Sequence, residues 1–349
     1  MNKYSVILTV SLLLTACGAK DAENVEVKQF LNGWTITKTT LDVHIDSRSM
    51  FFVNAEVGFV VGVNGGIYKT INSGKDWEKQ NSRTTLHLYS VFFLNETTGF
   101  VSGGAMLNCL NDDCGKGSIM LKTTNGGETW SKMFFNDYVA IHTLHFFDDL
   151  NGLSIIEIPQ VPNAGYLYVA RTANGGNSWH LIDLPIMSYT NFRCIEGVTY
   201  VAGRNQKVYK SKDMGNTWET LDTPIPPWND VGNLYFINQD IGFLNGVTHI
   251  YKTIDGGMNW EIVDCPFLFF SRLHFYDETE GFNIETVSKY EGGDFPTFKG
   301  SVSYQTNDGG INWTKSDLID SFFLGTTCFP QRDLGYALNS SEFYTIKRR

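Results

Sequence analysis

One eight-residue pattern is written six times in this chain, and it limits the possible fold more than any other feature. Aligned on their tryptophans, the copies occupy residues 70–77, 123–130, 172–179, 211–218, 253–260 and 306–313. Each opens with Thr or Ser, has Asn or Asp third, Gly fifth and Trp eighth. The third and eighth positions are Asn72 and Trp77, Asn125 and Trp130, Asn174 and Trp179, Asp213 and Trp218, Asp255 and Trp260, and Asp308 and Trp313. These residue types suit a tight turn between two strands. A short polar side chain can bond backbone amides two residues on. Glycine accepts the positive φ that closes the turn. Tryptophan fills a large apolar slot and keeps one N–H for a partner.

The tryptophans are 53, 49, 39, 42 and 53 residues apart. A period of 40–50 residues with four strand-like runs per unit is the signature of propeller blades. A second repeat supports this. Apolar runs such as Met50–Val53, Val91–Leu94, Leu144–Phe147, Leu234–Ile237 and Leu273–Tyr276 precede each turn. Each is followed by a polar turn and then Gly plus an apolar residue, as in Gly58-Phe59 and Gly242-Phe243. Continuous apolar runs suit strands covered on both faces. The tail supplies three further strands around 327–330, 334–338 and 342–346, and residues 33–41 read like the strand that follows each tryptophan. The expectation is an all-β chain, a single seven-bladed propeller of four-stranded blades over 32–349. The N-terminal strand closes the last blade and removes an open edge. Six blades plus a cap is the alternative.

The turn pattern resembles the Asp-box, or bacterial neuraminidase repeat. The rhythm Gly-Phe … Tyr-Lys-Thr … Asp-Gly-Gly … Trp is also similar to that of propellers related to photosystem II stability and assembly factors. That resemblance implies a non-enzymatic binding or assembly scaffold. Sialidases resemble the chain in the box alone, and their boxes lie away from the active site. By that likeness the six tryptophans and six Asn/Asp residues are fasteners. Xyloglucanases share the rhythm but use two rings, and this chain has length for one.

The first segment is read as targeting sequence. Lys3 is followed by an apolar run, Val6–Leu14, too short to span a bilayer as a stable helix. It ends in Leu14-Thr15-Ala16-Cys17, which resembles a bacterial lipobox. Residues 1–16 are then a signal peptide, Cys17 the lipidated residue and 17–31 a polar tether. Gly18 after the cysteine makes outer-membrane anchoring the expectation, facing periplasm or cell surface. A formal net charge of −10 excludes a basic nucleic-acid footprint. A monomer is expected.

The pattern places the six turns on one face, so function is expected on the other. The long insertions fall there, at 104–117, 157–165 and 285–300, and long irregular loops on a rigid scaffold are where binding sits. The third holds Tyr290, Glu291, Asp294, Phe295 and Phe298, a mixture suited to a glycan or peptide, and Trp228 lies on the same side. Arg48, His142, Arg193 and Arg272 sit at the entry ends of inner strands, near the channel mouth. A glycosidase, the alternative, needs two facing carboxylates; Glu157, Glu285, Glu291 and Asp294 are the residues available. Cys109 and Cys114 are read as a local disulfide, Cys194 and Cys328 as small core residues, and His145 and His274 as packing. No cofactor, phosphate-loop or metal-ligand motif is present, so no cofactor and no metal are expected. The expected partner is an envelope protein or glycan.

Overall fold

The computed structural model describes residues 25–27, 33–105, 117–158, 166–184, 186, 192–203, 205–226, 231, 233–246, 249–267, 272–289, 297–320 and 324–349. The chain is an all-β propeller. Six antiparallel four-stranded meanders follow one another, each carrying one tryptophan turn between its third and fourth strands, and Ile319–Asp320 adds a fifth strand to the last by pairing with Thr297–Thr306. The first comprises Ser47–Phe52, Gly58–Gly62, Ile67–Thr70 and Glu78–Gln80. The others begin at His87, Ala140, Phe192, Leu234 and His274. Among the described residues, hydrogen bonding gives six sheets and not seven. The second and third meanders merge into one eight-stranded sheet because Ala140 pairs with Gly104.

The sixth sheet is assembled from both chain ends. Thr326–Gln331 pairs with the start of Leu334–Arg348, whose end pairs with Trp34–Ile45. Ser340, at φ 56, marks the bend, and Arg348 N–H returns to Asp333 O at 3.0 Å. Residues 33–41 thus pair where the sequence places them. Val25–Val27, expected to be tether, adds a further strand outside Trp34–Ile45. Trp34 itself is buried against Phe282, with ring centroids 5.3 Å apart.

The core lies between sheets. Phe59 stacks on Phe93 of the next meander at 4.1 Å, Phe100 on Phe146 at 3.7 Å and Tyr200 on Phe236 at 3.7 Å. Tyr336 of the terminal sheet stacks on Phe52 of the first meander at 4.0 Å. The repeated Gly-Phe pair follows from this packing. A Cβ on Gly58, Gly99, Gly242 or Gly281 would lie 2.5–2.6 Å from the ring of Phe52, Phe93, Phe236 or Phe275 on its own sheet. The glycine seats one ring, and the next residue packs against the neighbouring sheet.

The turns share one hydrogen-bond pattern, which differs in detail from the expected amide two residues on. The Thr or Ser hydroxyl accepts the fifth residue's N–H at 2.9 Å in every copy. It also takes the third residue's own N–H at 3.3–3.4 Å. The Asn or Asp oxygen therefore reaches four residues on, accepting N–H at 2.9–3.0 Å. The indole N–H of Trp77, Trp218 and Trp313 donates to the turn glycine's carbonyl at 2.9–3.1 Å. Among the described residues, Trp130, Trp179 and Trp260 have no such acceptor.

The remaining atom of the third side chain matches its partner in polarity. Asn72 Nδ2 donates to Asp76, whereas Asp255 and Asp308 accept from Asn259 and Asn312. Asn72→Asp would set two carboxylates against each other. It should lower stability by about 0.5–1 kcal/mol at low ionic strength, less in concentrated salt, and Asp76→Asn should restore it. Equal melting of N72D and the parent chain at low salt would contradict this. The lysine before the turn ties neighbouring sheets: Lys69, Lys210 and Lys252 Nζ donate to the carbonyls of Gly126, Gly256 and Gly309 at 2.6–2.9 Å. Gln305 replaces that lysine where the following sheet has no such turn.

Candidate functional site

The site grows out of three β-bulges. In the first meander Ser47 pairs with Gly62 and Ser49 with Val61, leaving Arg48 as the extra residue. In the second, Leu88 and Ser90 are paired and Tyr89 is extra. In the third, Ile141 and Thr143 are paired and His142 is extra. A bulged residue is turned away from the regular alternation of its strand. Three consecutive inner strands therefore present Arg48, Tyr89 and His142 to one cavity of about 480 Å³, with Phe192 of the fourth meander completing its wall. Glycine lets the strands close around the first two bulges: a Cβ on Gly62 or Gly103 would lie 1.8–1.9 Å from the carbonyl of Asp46 or His87. Ser49 Oγ accepts Val91 N–H at 3.3 Å and Ser90 Oγ accepts Leu144 N–H at 3.2 Å, pinning each bulge to the next sheet.

The polar groups form a chain. Glu157, buried, meets His142 Nε2 at 2.8 Å. The His142 ring stacks on Tyr89, with centroids 5.1 Å apart and planes 27° apart. Burial pushes the Tyr89 phenol above its ordinary pKa; the Arg48 charge opposes this and the Glu157 charge adds to it. The phenol therefore stays protonated at neutral pH and donates to Ala105 O at 3.4 Å. The Arg48 guanidinium, beside the aromatic faces of Tyr89, His142 and Phe192, suits a carbonyl or carboxylate oxygen of a ligand.

Two of the four channel-mouth residues anticipated from sequence, Arg48 and His142, line this cavity. The other two are turned to the scaffold. Arg193 lies over the Tyr235 ring at 5.1 Å and its Nη2 donates to Phe236 O at 3.5 Å. Arg272 donates from Nε and Nη2 to Gly325 O at 3.3 and 3.1 Å, and burial lowers its pKa to about 10. His145 and His274 are pushed down to about 4, mainly by burial, and are neutral packing residues at physiological pH. Cys194, Cys265 and Cys328 are free and partly buried. Among the described residues, no group of three His, Cys, Asp or Glu side chains could hold a metal ion, and no helix is long and apolar enough to cross a membrane.

Cys17, Cys109, Cys114, Trp228, Tyr290, Glu291, Asp294 and Phe295 lie outside the described residues. Phe298 is placed as a backbone position, paired with Ser288. The strands Gly281–Lys289 and Thr297–Thr306 that lead to residues 290–296 are the longest second and third strands of the six meanders. Tyr89 and Phe192 were not anticipated from sequence. The available signal was the Ser or Thr that follows each bulged residue, at 49, 90 and 143.

No protein-family model and no curated protein sequence matches the chain. Solved structures do. A YCF48 bound to a D1 peptide is 18% identical, with 90% of this chain and 97% of that one covered at a TM-score of 0.62. YCF48 from Cyanidioschyzon merolae is 15% identical, with 89% and 98% covered at 0.60. The GH74 enzyme of Niastella koreensis is 13% identical at 0.61; the match takes in 87% of this chain but about half, 52%, of the enzyme. At these identities the likeness is one of fold: this chain is built as these propellers are.

Proposed function

We propose that this chain is a binding scaffold of the bacterial envelope, a propeller that holds a segment of a partner polypeptide at the cavity formed by Arg48, Tyr89, His142 and Phe192. The observation that carries the reading is the bulge triad, which turns three unlike polar side chains from consecutive sheets toward one space. The peptide-bound YCF48 neighbour favours a polypeptide ligand. On the same reading the eight-stranded sheet is two blades, so that seven blades make a ring closed by Trp34–Ile45. Hydrophobic contact runs from each blade to the next and from Tyr336 back to Phe52. The six turns are Asp-boxes. Cys17 carries the lipid that holds the monomer to the outer membrane, and the segments 104–117, 157–165 and 285–300 extend the binding surface.

A photo-crosslinking amino acid at Phe192 tests this in envelope preparations. Crosslinks to a defined polypeptide segment are expected, and Arg48→Ala with His142→Ala should reduce them by about tenfold or more, since hydrogen bonds to charged groups contribute about 1.5–3 kcal/mol each. A second reading, glycan hydrolysis, draws on the GH74 likeness and on the buried Glu157 beside the cavity. Release of sugar from xyloglucan, abolished by Glu157→Gln, would replace the scaffold reading.

A further inference from the structure

We propose a second docking groove, on the outer rim between the first two meanders, which takes an extended acidic peptide as an added β-strand. Two cavities of about 830 and 720 Å³ border the strand Glu78–Gln80. That strand is the outermost of its sheet, pairing on one side with Ile67–Thr70 and, among the described residues, with nothing on the other. An unpaired edge beside a groove is the geometry of strand addition. The fold already contains one such addition, Val25–Val27 outside Trp34–Ile45.

Charge selects the occupant. The larger cavity is lined by Lys79 and Arg83 and by no carboxylate, in a chain of net charge −10, whereas the smaller is lined by Asp76, Glu78 and Glu128 beside Lys69, so the peptide's acids belong in the larger one alone. No ion-pair partner of either cation occurs among the described residues. A third cation stands at the rim, where Lys132 Nζ donates to Arg83 O at 2.7 Å and lies 5.6 Å over the Phe134 ring. Phe134 is 56% exposed and offers an apolar contact in the same groove. The wall is pre-set. Arg83 is held at φ 52 with its N–H bonded to Asn81 Oδ1 at 3.0 Å, and Thr84 Oγ1 accepts Leu86 N–H at 3.2 Å. A strand with alternating acidic and apolar side chains would place its acids by Lys79 and Arg83 and one apolar side chain on Phe134. This groove shares no lining residue with the bulge cavity.

Two fluorescein-labelled decapeptides test the inference by anisotropy on the full chain. In one, valine alternates with glutamate around a central phenylalanine; in the other, lysine replaces glutamate. The acidic peptide is expected to bind about tenfold or more tightly than the basic one, with an advantage that falls as salt is raised. Lys79→Glu with Arg83→Glu should reverse the preference, Phe134→Ser should weaken both peptides, and Arg48→Ala with His142→Ala should change neither. N-methylation of alternate peptide amides should abolish binding. Equal affinity for the two peptides, no saturable binding, or indifference to charge reversal or to N-methylation would overturn the proposal, with circular dichroism confirming that each variant is folded.

Discussion

Thr253→Val is expected to cost about 2–4 kcal/mol, while Thr253→Ser costs little. The Thr253 hydroxyl is buried at the base of the fifth turn and accepts two backbone N–H groups, Gly257 at 2.9 Å and Asp255 at 3.3 Å. It also donates to Asp255 Oδ1 at 2.8 Å. Valine has the same shape and can do none of this. Each buried donor left without an acceptor costs about 1–3 kcal/mol, and the loosened Asp255 carboxylate stops restraining Asn259. Serine supplies the same oxygen, and the fourth turn already uses it: Ser211 takes Gly215 N–H at 2.9 Å and donates to Asp213 at 2.9 Å. Guanidinium unfolding followed by tryptophan fluorescence would measure the difference. A valine variant as stable as the serine variant would show that the hydroxyl is dispensable.

The turns were legible in the sequence because each position acts within eight residues of itself. Even so, the third residue bonds the amide four residues on, because the first hydroxyl already occupies the nearer one. The Gly-Phe pairs were legible as a rhythm but not as a cause, since the ring seated on Gly58 comes from a strand six residues earlier and the ring beyond from another sheet. The cavity was the least legible part. Arg48 and His142 stood out as polar residues at strand starts, and so did Arg193 and Arg272. What separates the two pairs is a bulge in the first and a backbone carbonyl in reach of the second. Both depend on cross-strand register, of which the Ser or Thr after each bulged residue, at 49, 90 and 143, is the one local trace. Tyr89 stands beside other aromatic and apolar residues in its strand and is singled out only by the bulge and the Ser90 that follows it. The first hairpins hid a further device, in which Asn54, Asn95, Asp148, Asn238 and Asp277 each take two following backbone N–H groups.

Gly242→Ala should lower stability by about 1–3 kcal/mol through contact alone. The glycine is at ordinary φ, so an alanine there is not strained by its backbone. Its Cβ would instead sit 2.5 Å from Phe236 Cδ1 and 2.6 Å from Cε1. The Phe236 ring cannot retreat, because Tyr200 lies flat against its other face, 3.7 Å away with planes 8° apart. Tyr200 is fixed in turn by its hydroxyl on Gln239 O at 2.7 Å. The clash must therefore move a strand or force the ring from its rotamer. Phe236→Leu opens the space the methyl needs, so alanine should cost less in that background than in the parent, by about 0.5–3 kcal/mol of coupling. Gly197→Ala provides the contrast. Nothing lies within 4 Å of its Cβ and its φ is 82, so its cost, about 1–2 kcal/mol of left-handed strain, should be the same with either residue at 236. If Gly242→Ala cost as much beside leucine as beside phenylalanine, the glycine would owe its place to something other than the ring.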